Sequence, residues 1–338
     1  RGVPGISFVK VDAKGREALG ESLKFLGNIE DLPPQHGKNL HTTLDLDLQQ
    51  AAANAFVNSE HTGTLIAINK EGEILALYSH PTFDPNEFSR GITSDKWSSL
   101  VNNPNKPLRN KAIQDHLSPG STFKPIVALA SLQNKKLTEN TIVHAPGTFR
   151  FGNRTMHDHT REGQGHINVM QAIEQSSNVF FYKQGLALGV DTIAKYAKAL
   201  GLGTTTGIDL KNEIPGLIPS TEWKKQKRGE KWQDSESLMV AVGQSYVSAT
   251  TIQLANSYMA IANNGKVFQP RLVTRISNSR GVTLEEFPPI LKTDLSDPEK
   301  PYYVSPETFK TVQKGLFLVP NGEKGTARRS EEHTSELQ

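Results

Sequence analysis

The chain has 338 residues, 36% of them apolar and 22% charged, with 38 Lys+Arg against 35 Asp+Glu. That much apolar material builds a sizeable core and excludes disorder as a class, and the length suits two domains or one large domain with an appendage. A net charge of +3 gives no argument for nucleic acid, no run approaches the ~18 apolar residues of a membrane span, and the absence of cysteine removes disulfides, thiol catalysis and cysteine-based zinc sites.

Residues 1–38 alternate weakly through Ile6, Phe8, Val9 and Val11 and then pass to Pro33-Pro34, predicting a strand or two and a linker. An Asp near position 45 or 47 caps a predicted helix through Leu48-Gln49-Gln50-Ala51. Residues 63–68 and 73–78, separated by Asn69-Lys70-Glu71-Gly72, predict a β-hairpin. Loops and short helices are expected from Pro81 to Pro119. Apolar periodicity then predicts helices over 122–132, 169–174, 178–188, 191–200 and 250–262, a strand or extended segment over 267–276, and a helix over 305–316. Ser305 caps that last helix, with Pro306 at its first position. The polar residues 329–338 have no apolar period and match one reading frame of a common sequencing adapter. They are read as non-native, and whatever followed Arg328 as missing.

Serine followed three residues later by lysine is the core of one class of acyl-transfer site. The chain has two such pairs. Ser7 and Lys10 lie in a strand-like run, where positions three apart point to opposite faces. Ser121 and Lys124 open an apolar run in which a helix would place them on one face, about 5–6 Å apart at Cβ. Pro125 is acceptable only in a first helical turn, so the helix must start near Ser121. Apolar surroundings would lower the lysine pKa and let neutral Lys124 take the serine proton. The plain alternative is a capping serine and a surface lysine.

A second cluster, Ser176-Ser177-Asn178, is the one Ser-x-Asn triplet in the chain. Asn178 could simply cap a helix. Read functionally, Ser176 relays a proton between Lys124 and the leaving group, and Asn178 holds a substrate amide. A serine nucleophile without a His–Asp pair needs such a base.

Ser121-Thr122-Phe123-Lys124 after Pro119-Gly120, with Ser176-Ser177-Asn178 some fifty residues on, resembles the penicillin-binding D,D-transpeptidases. Further passages are similar to class B members of the elongation-specific, penicillin-binding protein 2 type. These are Leu44-Asp45-Leu46-Asp47-Leu48-Gln49, Pro81-Thr82-Phe83-Asp84-Pro85-Asn86, the segment 103–112, Thr206-Gly207-Ile208-Asp209-Leu210, the segment 221–228 and Val242-Gly243-Gln244-Ser245-Tyr246. The resemblance runs over nearly all of 1–328.

It implies an α/β penicillin-recognising fold, an antiparallel sheet flanked by helices, with the C-terminal strands missing. Residues 1–38 would end a pedestal (dimerisation) domain and linker, and 39–328 would be an incomplete transpeptidase domain, followed by the non-native 329–338. The implied activity is a serine D,D-transpeptidase that cross-links peptidoglycan stems ending in D-Ala-D-Ala and is trapped by β-lactams. Ser121, Lys124, Ser176 and Asn178 would carry it without a cofactor. The implied partners are a SEDS-type glycan polymerase and the rod-complex scaffold, with no nucleic acid. The implied place is the periplasmic side of the bacterial inner membrane, anchored by an N-terminal helix outside this chain. A serine β-lactamase and a non-catalytic penicillin-binding scaffold are the alternatives.

Three departures stand out. Ser245 and Thr251 occupy positions where the family has glycine and proline. The family's Lys-[Ser/Thr]-Gly motif is absent, since Lys324-Gly325-Thr326 has the letters in another order and resembles the Asn-Gly-Thr-Ala segment that precedes it. The chain as it stands is therefore expected to be inactive and poorly stable. Two other clusters stay open. His144, His157, His159 and His166, near Asp158, form either a metal site or a polar loop near the cleft. Lys224, Lys225, Lys227, Arg228 and Lys231, between Trp223 and Trp232, form either a solvated face or a contact for anionic lipid or glycan.

Overall fold

The computed structural model describes residues 2–9, 11, 14 and 31–328. The tail 329–338 and Lys10, the second member of the Ser7–Lys10 pair, lie outside the described residues. In chain order the elements are β1 (Asn39–Thr42), α1 (Leu46–Asn54), β2 (Gly63–Ile68), β3 (Ile74–His80), α2 (Pro85–Ser89), α3 (Ser94–Val101), α4 (Lys111–Gln114) and β4 (His116–Leu117). A 3-10 turn, Gly120–Phe123, leads into α5 (Lys124–Gln133). Four short strands follow: β5 (Val143–Pro146), β6 (Thr148–Phe151), β7 (Arg154–His157) and β8 (Gly163–Ile167). Then come α6 (Val169–Glu174), α7 (Asn178–Leu188), α8 (Val190–Ala199), α9 (Thr221–Arg228) and α10 (Asp234–Ala241). The remainder is β9 (Ala249–Thr250), α11 (Thr251–Ala262), β10 (Lys266–Phe268), β11 (Val273–Ser277), β12 (Thr283–Glu286), β13 (Leu291–Asp294) and α12 (Pro306–Asn321).

The chain divides into two units, Arg1–Thr43 with Val273–Pro288, and Leu44–Leu272 with Pro289–Gln338. In the first, β1, β11 and β12 form an antiparallel sheet in that order, and isolated bridges join Val3 to Gln35 and Ile6 to Leu32. The strand expected over 267–276 is thus two strands separated by residues 269–272, where Pro270 withholds a ladder donor. β10 pairs with β13 in the second unit, while β11 belongs to the first.

The second unit is organised around α5. Its sequence is apolar on every side, which suits a helix enclosed by others. Phe123, Ile126, Val127 and Leu129 are fully buried, each contributing roughly 1.5–3 kcal/mol of hydrophobic stabilisation. α6, α7, α8 and α12 pack against it. The expected helix over 122–132 is therefore split: Lys124 begins the α-helix, with Pro125 in its first turn, and Ser121 rides on the preceding 3-10 turn. α7 starts at its Ser177 cap and stops at Gly189, where φ is +72°. α12 continues past the expected end at 316 to Asn321 and stops at Gly322.

The hairpin β2–β3 forms as expected, with Ile66 opposite Leu77. Its turn closes through Asn69, whose side-chain oxygen accepts from the Glu71 and Glu73 amides at 3.0 Å. The outer edge of β3 is covered by α1: Asp45 N–H donates to Leu75 O, and the Gln49 amide bonds both ways with the Leu77 backbone. Among the described residues β2 pairs with β3 alone. Beside β2 runs an apolar groove of about 760 Å³, lined by Ile66, Ile68, Ala255, Met259, Leu316 and Phe317. No helix among the described residues is long and apolar enough to cross a membrane.

The segment 143–167, read as a polar loop or metal site, is two antiparallel strand pairs, β5 with β8 and β6 with β7. His144 and His166 face each other across the first pair, ring centroids 4.7 Å apart. No group of three His, Cys, Asp or Glu among the described residues is placed to hold a metal ion. The basic run also departs from a purely solvated face. Lys224 is buried, with Nζ 2.7 and 2.8 Å from the Glu236 carboxylate oxygens, while Arg228 lies over the Tyr246 ring.

Candidate active site

The turn before α5 is set by glycines. Gly120 adopts φ +57°, and its N–H donates to Gly243 O at 2.9 Å. Gly243 itself has φ +69°, and a Cβ there would stand 2.2 Å from Gly120 O, so the two loops meet this closely only because Gly243 lacks a side chain. Thr122 Oγ1 closes the turn on Pro119 O at 2.8 Å, and Thr122 O accepts from the Tyr258 hydroxyl at 2.8 Å. Burial pushes that phenol well above its ordinary pKa, so it stays a donor. Ser121 is held exposed at the rim of a cavity of about 420 Å³, which Lys124, Ser176, Tyr258, Leu316 and Thr326 also line.

Lys124, one helical turn on, is 2% exposed. Its Nζ donates to Ser176 O at 2.5 Å, Ser176 Oγ at 3.1 Å and Asn178 Oδ1 at 2.7 Å. These three acceptors match the three hydrogens of an ammonium. Burial drives the Lys124 pKa down to about 8, with the charge of Asp158 pulling the other way. Loss of one proton therefore lies close to neutral pH, and it leaves a lone pair on a nitrogen beside the serine.

The structure thus brings Lys124, Ser176 and Asn178 into direct contact and sets Ser121 in the same cavity. The Ser121 hydroxyl makes no hydrogen bond with any described residue. Ser176 adopts φ +55°, which turns both its carbonyl and its hydroxyl to Lys124. Thr326, from the Lys324-Gly325-Thr326 segment, reaches the cavity because Glu174 anchors that stretch: its carboxylate accepts the Lys324 N–H at 3.0 Å and its carbonyl the Thr326 N–H.

In the sequence Asp158 stands out only as a neighbour of the histidines. Its side chain has no solvent exposure and lies behind the Ser-x-Asn triplet, bonded to Ser177 Oγ at 3.0 Å and Val179 N–H at 2.8 Å. Burial pushes its pKa up, but hydrogen bonds from the Val179 N–H, the Gln164 side chain and the His159 and Asn178 N–H groups outweigh that cost and hold it below the ordinary carboxylate value. Only the folding of β7 toward α7 makes the pairing, and no local spacing announces it.

A serine and a lysine on one helical turn, facing a Ser-x-Asn triplet across a cleft beside a hairpin, define a penicillin-recognising acyl-transfer fold. The chain belongs to the penicillin binding protein transpeptidase domain family, whose model matches residues 62–337. Within it, the chain is 32% identical over 324 residues to the peptidoglycan D,D-transpeptidase MrdA of Salmonella typhimurium, covering 95% of this chain and 50% of that protein. MrdA of Escherichia coli K12 is 34% identical over 274 residues, or 80% of this chain and 42% of that one. Among solved structures, Pseudomonas aeruginosa PBP2 in complex with WCK 5153 superimposes with a TM-score of 0.74 at 31% identity, over 88% of this chain and 65% of that one. Helicobacter pylori PBP2 in complex with MreC gives 0.77 at 29% identity, over 95% and 56%. The chain spans about half the length of the curated relatives it matches.

Proposed function

We propose that the protein to which this chain belongs is a serine D,D-transpeptidase of the elongation-specific type, with Ser121 as nucleophile and Lys124 as base. Ser121 Oγ attacks the carbonyl between the two terminal D-Ala residues of a peptidoglycan stem and gives its proton to neutral Lys124 Nζ. The C–N bond breaks, and the departing D-Ala takes a proton relayed from Lys124 through Ser176 Oγ. An amine of a neighbouring stem then attacks the Ser121 ester, forming the cross-link and freeing the serine. Asn178 contacts the substrate amide. β-Lactams acylate the same oxygen.

The observation that carries this reading is the contact of Lys124 Nζ with Ser176 and Asn178 in the cavity that Ser121 lines. Among the described residues lining that cavity there is no carboxylate, so hydrolysis of an acyl-enzyme has no evident base. This disfavours a β-lactamase. The unpaired side of β2 and the apolar groove beside it suit further strands, one of them bearing the Lys-[Ser/Thr]-Gly cation for the substrate carboxylate. A rod-complex scaffold and a SEDS-type polymerase are the proposed partners, in line with the MreC complex of the Helicobacter pylori relative. The proposed site of action is the periplasmic side of the inner membrane, with 1–38 as the end of a pedestal and 329–338 as non-native.

Labelling the full-length protein with a fluorescent penicillin, with and without Ser121→Ala, tests the proposal. A stable label lost in Ser121→Ala is expected. Rapid turnover of the label would favour a β-lactamase, and no label at all a non-catalytic module.

A further inference from the structure

We infer that Asp158 is a positioning residue of this site: its carboxylate fixes the segment 176–179 so that Ser176 and Asn178 stay turned to Lys124. The inference rests on the reading of Ser121 and Lys124 above and extends it to a residue outside the cavity.

Asp158 follows β7 and points behind the N-terminus of α7. Oδ2 accepts from Ser177 Oγ at 3.0 Å and from Val179 N–H at 2.8 Å, while Oδ1 accepts from Gln164 Nε2 at 3.1 Å and from its neighbour's His159 N–H at 2.8 Å. Ser177 Oγ in turn accepts the Phe180 N–H as the cap of α7. Lys124 takes residues 176 and 178, so Asp158 holds the alternate ones, 177 and 179. The grip is needed because Ser176 sits in the left-handed region, which a serine leaves unless its neighbours fix it. An anion suits the task, since it accepts from all four donors at once. An amide in its place would turn an NH2 toward two of them.

The charge also acts at a distance. Lys124, His159 (Nδ1 2.8 Å from Oδ1) and Tyr182 are the titratable groups that face Asp158. Its field favours the ammonium form of Lys124 and so limits how far burial lowers that pKa.

The test compares wild type with Asp158→Asn in two readouts. The first needs no chemistry: hydrogen exchange of residues 176–180 in the full-length protein should quicken by about tenfold or more, with the amides of α5 and α8 unchanged. The second is the pH profile of acylation by a fluorescent penicillin in the full-length protein. The plateau rate should fall by about tenfold or more, and the midpoint should move to lower pH, because the charge that favours the ammonium is gone. His159→Gln should leave the midpoint in place. Should Asp158→Asn fail to fold, Ser177→Ala removes one donor and should quicken exchange of the same segment. Unchanged exchange at 176–180 would overturn the inference, as would a lower rate with an unmoved midpoint or a midpoint shift reproduced by His159→Gln. If the wild-type protein takes no label, the proposed function fails, and the exchange arm decides this inference by itself.

Discussion

Lys124 and Asp158 hold alternate residues of one short segment from opposite sides: Lys124 Nζ takes Ser176 and Asn178, and Asp158 Oδ2 takes Ser177 and Val179. The triplet is therefore braced between a buried cation and a buried anion. In the proposed mechanism the protonation state of the lysine is the variable on which acylation turns.

Acylation should follow that variable. With a Lys124 pKa of about 8, the neutral fraction is small at pH 6 and dominant at pH 9. The acylation rate of the full-length protein should rise roughly tenfold per pH unit below 8 and level off above it. Lys124→Arg, which stays protonated throughout, should lose at least about a hundredfold at every pH. The rate of fluorescent-penicillin labelling measures both.

The same shift links stability to pH, with a definite sign. The folded pKa lies below the ordinary 10.5, at about 8. Below pH 8 both states carry the proton, and the folded state bears the full cost of the buried charge. Between 8 and 10.5 the unfolded state binds more protons, so this residue's contribution to stability rises with pH across that window. Denaturant titrations should show the rise in wild type and its loss in Lys124→Met.

Gly243 supports the turn that carries Ser121. In Gly243→Ala the new methyl would stand 2.2 Å from Gly120 O on a backbone at φ +69°. A cost of about 2–4 kcal/mol is expected. Thermal melts should show the lower midpoint, and the labelling rate at temperatures well below it should fall as well, because the Gly120 turn carries Ser121.

Ser245 departs from the family's glycine and takes φ +66°, a conformation that glycine adopts freely. It is exposed, so no packing opposes the change. Ser245→Gly should stabilise the chain by about 0.5–1 kcal/mol, read as a small rise in melting temperature, with labelling unaffected.

Much of the architecture was readable because it is written in local pattern. The all-apolar run after Lys124, the helix over 178–188 and the hairpin over 63–78 each carry their own signal, and the site residues ride on them, although the helix cap is Ser177 and not Asn178. The 3-10 turn under Ser121 was less visible, since its shape depends on Gly243 from a distant loop. Strands β5 to β8 escaped because they are short, polar and half-exposed, without apolar alternation. Asp158 escaped for a related reason: its partners are 19 and 21 residues away. Lys224 looked like one more surface cation, and only the fold of α10 brings Glu236 to it.

The most direct measurement is mass-spectrometric mapping of the covalent adduct formed when the full-length protein meets a penicillin at pH 8. A single acyl group on the peptide bearing Ser121, absent in Ser121→Ala and strongly reduced in Lys124→Arg, is the predicted result. An adduct on any other residue, or one that forms at the wild-type rate in Lys124→Arg, would contradict the account.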